Sequence, residues 1–182
     1  MPYNSYSEEV LSLTEKDLIL KNKIEIAIKE IAEKVLKEID ITEIPDIKLS
    51  NSETIDRNKY GCYNINNERI YLPFNYENFR YITIFHELIH HIQYIKSGKK
   101  AEIAFKDALP SANIPYKKQR HEVQANKESL KFYMLFYKLV KDLSSIIDVD
   151  LFFHDYNAGL IKIEDEEIAL PTLKELEESL KW

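Results

Sequence analysis

The sequence predicts an α+β domain in which helices outweigh a small sheet. Three observations carry this: apolar residues recur every three or four positions through residues 15–39, short β-prone runs lie at 47–50 and 60–73, and helical spacing returns at 77–96 and 118–142. At 182 residues the chain fits one domain, 1–182, because a domain takes up ~150 residues and this length suffices for a real core.

Thr14 followed by Asp17 resembles a capping box. The segment after it, LILKNKIEIAIKEIAEKVLKEI, places lysines and glutamates between its apolar positions, so 15–39 reads as one amphipathic helix. Pro45 ends the connection, and IKLS at 47–50 alternates as a strand does. YGCYNINNERIYLP then gives two β-prone runs around Ile65-Asn66-Asn67-Glu68, a hairpin that stops at Pro73. From about Glu77 to Lys96 a helix is expected, with Tyr81, Phe85, Leu88, Ile92 and Ile95 as its apolar stripe and Ser97-Gly98 closing it. Pro110 and Pro115 mark 106–119 as a loop. The next helix, 118–142, carries Ala125, Phe132, Phe136 and Leu139 on one face. Beyond Ser144 the pattern weakens until TLKELEESLKW, which reads as a final helix.

Bulk properties exclude several function classes. A net charge of −6 with no Lys/Arg cluster interleaved with aromatics disfavours nucleic acid as a partner. No apolar run approaches the ~18 residues of a membrane span, and the N-terminal stretch MPYNSYSEEV lacks the basic and apolar regions of a secretory signal, so no membrane insertion is expected. The single cysteine, Cys62, forms no internal disulfide, which points to a reducing, cytoplasmic setting. Oligomeric state is not legible at this level.

The chemistry concentrates in FHELIH at residues 85–90. On a helix, i and i+4 lie one turn apart on the same face, so the imidazoles of His86 and His90 can reach one ion. Glu87 is rotated by about 100° from His86, which sets it beside such an ion, placed to take a proton from a water there. Both histidines flank the apolar stripe by one position instead of lying on it. Histidines satisfied by core hydrogen bonds would lie on the stripe, so a metal site is the better reading.

A catalytic zinc needs a third protein donor and one open position. Cys62 stands alone before the motif, and His91 points away from His90 and is expected at the surface or behind a ligand. Downstream, His121, Glu122, Glu128, His154 and Asp155 are candidates. Glu122 stands out by phase, since it leads into Ala125, Ser129, Phe132, Phe136 and Leu139 and so faces inward. A buried carboxylate without a partner is costly, and a zinc ion is a natural one. The competing reading makes Glu122 an N-terminal helix carboxylate that interacts with the helix dipole.

H86-E87-L88-I89-H90, together with R120-H121-E122-V123-Q124-A125-N126, resembles the gluzincin branch of the zincin metallopeptidases, in which a glutamate within E-x-x-A-(D/N) on a second helix is the third zinc ligand. The likeness covers about residues 58–142, and its compactness resembles the minigluzincins; a similar motif pair occurs in metallopeptidases that cleave phage repressors in mobile elements. The resemblance implies a zincin-like fold with a catalytic core at about 41–142 and a C-terminal extension at about 145–182. It implies one Zn2+ per chain held by His86, His90 and Glu122, with Glu87 as general base and acid, and Asn126 as a residue orienting a ligand histidine. It also implies an edge strand that pairs with an extended peptide substrate, here Arg69-Ile70-Tyr71-Leu72. Peptide hydrolysis needs a donor to the developing oxyanion besides the ion, and Tyr116, His121, Tyr133 and His154 are all candidates.

The expected activity is therefore zinc-dependent peptide hydrolysis, latent if a terminal segment fills the cleft. The alternatives are a catalytically silent zincin-fold binding or regulatory module, and a helical interaction protein with incidental histidines.

Overall fold

The computed structural model of the chain describes residues 15–50, 60–74 and 79–147. The predicted cap at Thr14, the final helix, most of the C-terminal extension, and with them His154 and Asp155, lie outside these residues.

The first helix, α1 (Glu15–Glu38), buries Ile24, Ile28, Ile31, Ala32, Val35 and Leu36. It ends where Asp40 enters the left-handed region (φ 57), with Ile41 N–H donating to Leu36 C=O and Asp40 N–H to Lys37 C=O. These two bonds satisfy carbonyls that the helix end leaves open. The stripe of α1 packs on β1 (Asp46–Ser50), and Glu25 fastens the two by accepting Leu49 N–H at 2.8 Å.

Strand β1 runs parallel to β3 (Arg69–Pro73), and β2 (Cys62–Asn64) runs antiparallel to it, giving the order β1-β3-β2. Ile47 and Leu49 lie beside Ile70 and Leu72, so two matching I-x-L patterns bury one face together. This corrects the expectation for Arg69-Ile70-Tyr71-Leu72. That segment is the central strand, bonded on both sides, and among the described residues β1 and β2 are the edges of the sheet, β1 against α1 and β2 against α2. The cause is hydrophobic pairing with β1 across sequence, which a hairpin reading does not contain. The hairpin itself forms as expected, with Asn64 Oδ1 accepting Asn66 N–H at 2.9 Å inside the turn.

Helix α2 (Tyr81–Lys96) lies against the sheet and buries Tyr81, Ile84, Phe85, Leu88, Ile89 and Ile92. It starts later than predicted, because Arg80 is extended (φ −136, ψ 128). It closes on Gly98 (φ 70), whose freedom the left-handed turn requires. The expected loop at 106–119 is more ordered than its prolines suggest. After the short helix α3 (Ala101–Ala104) come three single 3-10 turns, Lys106–Ala108, Pro110–Ala112 and Tyr116–Lys118. Pro110 opens the second and Pro115 precedes the third, places where a fixed φ and a missing N–H cost nothing.

The helix expected over 118–142 is two helices, α4 (Arg120–Leu135) and α5 (Tyr137–Ile147). Phe136 breaks them with φ −102 and ψ 19. No glycine or proline marks the break; α5 packs on α1, and the change of direction carries Val140 and Leu143 into the core. Helices α2 and α4 pack face to face through Phe85 and Phe132, whose ring centroids are 6.5 Å apart. Among the described residues no helix is long and apolar enough to cross a membrane.

Phe132→Ala removes a fully buried ring from this α2–α4 contact, and we expect it to lower stability by about 3–5 kcal/mol in urea unfolding. A loss below about 1 kcal/mol would show that the two helices are held by something other than this core.

Candidate metal centre

Helical spacing on α2 brings the His86 and His90 rings within 4.8 Å, with their Nε2 atoms 3.1 Å apart. From α4, Glu122 Oε2 lies 3.4 Å from His86 Nε2, and Oε1 lies 3.5 Å from His90 Nε2. The three groups offer ligand atoms that all lie within 4.8 Å of one another. The carboxylate reaches this point because α4 begins where it does. Asp107 Oδ2 accepts the Arg120 backbone N–H at 2.8 Å and the Arg120 Nε at 3.2 Å, so a buried aspartate in the preceding 3-10 turn satisfies one of the open donors of the first helical turn.

Charge in the centre is strongly coupled. Burial alone would push the Glu122 carboxyl up, but the His86 and His90 imidazoles and the Tyr116 hydroxyl outweigh it and hold the group well below the usual carboxylate range. Burial likewise pulls His90 down, while Glu122 and Glu87 outweigh it and favour the imidazolium. The buried Oε2 of Glu122 makes no hydrogen bond. Two imidazole nitrogens and a carboxylate with a bare buried oxygen, all aimed at one point, make a donor set that fits a divalent metal ion. The group can hold such an ion.

Glu87 is buried beside this set without belonging to it. Burial raises its carboxyl, and the two imidazoles and the Tyr63 backbone N–H partly offset that. Strand β2 comes this close because residue 61 is glycine. A Cβ there would stand 2.7 Å from Thr83 Cγ2 and 3.2 Å from Glu87 Cγ. His91, expected at the surface or behind a ligand, is fully buried and serves as a tie instead. Its Nε2 donates to the Glu43 carbonyl at 2.8 Å, so Nδ1 accepts from the Tyr63 hydroxyl at 3.0 Å. Burial lowers the pKa of this imidazole and so favours its neutral form. Tyr63 is thus bound to α2 at both its hydroxyl and its N–H.

Of the other predicted residues, the structure brings two to the centre. Tyr116 comes near Glu122, although much of its side chain is exposed, and its phenol is pushed up by burial and by that carboxylate. His121 is buried with Nε2 3.5 Å from Glu122 Oε1. Tyr133 is placed elsewhere: eleven residues along α4 from Glu122, or about 16 Å at 1.5 Å per residue, its ring packs edge-on against Phe85. Glu128 is buried two turns beyond Glu122 and pairs with Lys131 at 3.1 Å. Asn126 is exposed, with its carbonyl accepting from Ser129. The hydrogen bond that orients a ligand histidine comes instead from Gln93, whose Oε1 lies 2.8 Å from His90 Nδ1. Sequence reasoning missed Gln93, Asp107 and Gly61. Only Gln93 carried a signal, an amide at i+3 from His90 on an otherwise apolar face.

No family model, curated protein or solved structure matches the chain. The functional reading therefore rests on the geometry of the centre and on the motif spacing.

Gly61→Ala is expected to cost about 1–3 kcal/mol through the clash with the Thr83 methyl. Combining it with Thr83→Ser, which deletes that methyl, should recover most of the loss; additive losses in a double-mutant unfolding cycle would refute the steric account.

Asp107 has a carboxyl depressed by Arg120, so its contribution is present above the ordinary carboxylate pKa and is lost as pH falls through the depressed one. Asp107→Asn should then lower the melting temperature at neutral pH, with the gap to wild type closing below about pH 4. A gap that stays constant on acidification would mean the aspartate charge is not what anchors α4.

Proposed function

We propose that the chain is a zinc-dependent metallopeptidase of the gluzincin type, with His86, His90 and Glu122 holding the ion and Glu87 acting as general base and acid. The observation that carries this is the pairing of a three-donor set with a second carboxylate that is buried beside it and does not join it. The ion, when bound, supplies Lewis acidity at the scissile carbonyl and lowers the pKa of water towards ~7.

The residues of the chain supply the rest. Glu87 lies where it can take a proton from the attacking water and return it to the departing amine, and burial raises its carboxyl towards the range such exchange needs. The Tyr63 N–H and the absence of a side chain at Gly61 hold that carboxylate in place. Strand β2, in place of the predicted segment 69–72, is the sheet edge next to Glu87 along which an extended peptide can pair, beyond the Tyr63 N–H that Glu87 already engages. Tyr116 and His121 stand on the α4 side of the donor set, where a hydroxyl or imidazole can donate to a developing oxyanion. A single cysteine, Cys62, which has no second cysteine in the sequence to pair with, fits a reducing, cytoplasmic setting.

One contact favours the second reading, a silent zincin-fold binding or regulatory module. The Tyr116 hydroxyl lies near enough to the third ligand to favour its charged form, and there it competes with an ion for that carboxylate.

Elemental analysis should find zinc at about one per chain, lost in His86→Ala. Glu87→Gln should keep the zinc and lose about 10²- to 10⁴-fold in hydrolysis of a broad peptide library. Stoichiometric zinc with equal turnover by wild type and Glu87→Gln would sink the peptidase reading, and zinc with no turnover in either would leave the binding module.

A further inference from the structure

Gln93 is fully buried, one turn beyond His90 on α2, and each polar atom of its amide has a partner. Its Nε2 donates to the backbone carbonyl of His121 at 3.0 Å and to Gln124 Oε1 at 2.9 Å. A backbone carbonyl can only accept, so the His121 bond fixes which end of the amide is the NH2. The oxygen end therefore faces His90. Since that oxygen can only accept, the proton of a neutral His90 sits on Nδ1, 2.8 Å away, and the lone pair sits on Nε2. Nε2 is the atom that points at His86 and Glu122.

The source of this constraint is as informative as its result. The His121 carbonyl belongs to the residue just before Glu122, so the first turn of α4 does two things at once. It presents the third ligand atom, and through Gln93 it selects the nitrogen that His90 turns towards that ligand. Without the tie, a neutral imidazole can place its proton on either nitrogen, and the form with Nε2–H offers no lone pair to the centre.

We propose that Gln93 is a positioning residue that holds the neutral form of His90 in its ligand-ready tautomer and couples that state to the docking of α4 on α2. The proposal rests on the metal-site reading of His86, His90 and Glu122. It concerns a part of the centre that the motif spacing does not include.

Nitrogen-15 NMR of histidine-labelled, metal-free protein, with the pH raised until the ring signals stop shifting and the imidazoles are neutral, reads the tautomer directly. The wild type should show His90, assigned by loss of its signals in His90→Ala, protonated on Nδ1. Gln93→Met, close in size but without the amide, should show a mixture of the two tautomers. Zinc titration against a chromophoric chelator should give one tight equivalent for the wild type and about 10- to 100-fold weaker binding for Gln93→Met. Gln93→Glu keeps an acceptor opposite Nδ1, so it should retain the Nδ1–H form and bind zinc more tightly than Gln93→Met. A merely structural role predicts the reverse order, because a buried carboxylate disturbs packing more than methionine does.

If these variants fail to fold, the wild-type spectrum still decides, since an Nε2–H tautomer there overturns the proposal. One equivalent of zinc bound equally well by Gln93→Met overturns the role of Gln93 alone. No zinc uptake by the wild type overturns the metal centre and the role together.

Discussion

A carboxylate buried between two imidazoles sets the terms for the rest of this structure. Glu122 is held in its charged form with only 7% of its side chain exposed, and an ion buried without compensation costs several kcal/mol. A fully buried apolar side chain returns about 1.5–3 kcal/mol, so no single packing contact offsets a misplaced Glu122. Positive charge has to be delivered to it, as imidazolium or as a metal ion, and this requires two helices distant in sequence to be held to a fraction of an ångström. Phe85 and Phe132 pack α2 against α4, and Asp107 fixes where α4 begins. The small side chain of Ala125, one turn after Glu122, is fully buried.

The parts of this design that were legible in the sequence are those set by helical period. The stripe on α2 and the inward phase of Glu122 follow from 3.6 residues per turn, and α2 and the first turn of α4 behave as that period requires. The same rule, applied more finely, accounts for Asn126. Each residue turns by about 100°, the buried arc of α4 is centred near Ala125, and Asn126 falls one step beyond it. The family pattern suggested an orienting role at that position, and the geometry of this chain gives the role to Gln93.

What was not legible depends on contacts distant in sequence. The hairpin formed by β2 and β3 is local and was predicted; that β3 is the inner strand depends on the parallel pairing with β1, which no turn residue encodes. The break at Phe136 carries no glycine or proline and is set by the packing of α5 on α1. The burial of His91 follows from the position of β2, because only there can the Tyr63 hydroxyl reach its Nδ1. In each case a tertiary partner decided between local alternatives of similar energy.

The placement of Glu87 bears on what the centre is for. Storage of an ion, or structural use of one, is served by a closed set of four protein donors. Among the described residues the converging set has three, and the nearest further imidazole, His121, approaches Glu122 at 3.5 Å without joining that set. Glu87 adds a carboxylate that burial works against, yet the fold keeps it there. A glycine stands where any side chain would collide, the Tyr63 N–H is turned onto the carboxylate, and His91 anchors the same tyrosine from the other side. Three elements of structure thus constrain a group that does not hold the ion. Ion storage has no use for such a group, whereas proton transfer to and from a water beside the ion requires one. On the proposed reading, the arrangement of the centre suits chemistry better than storage.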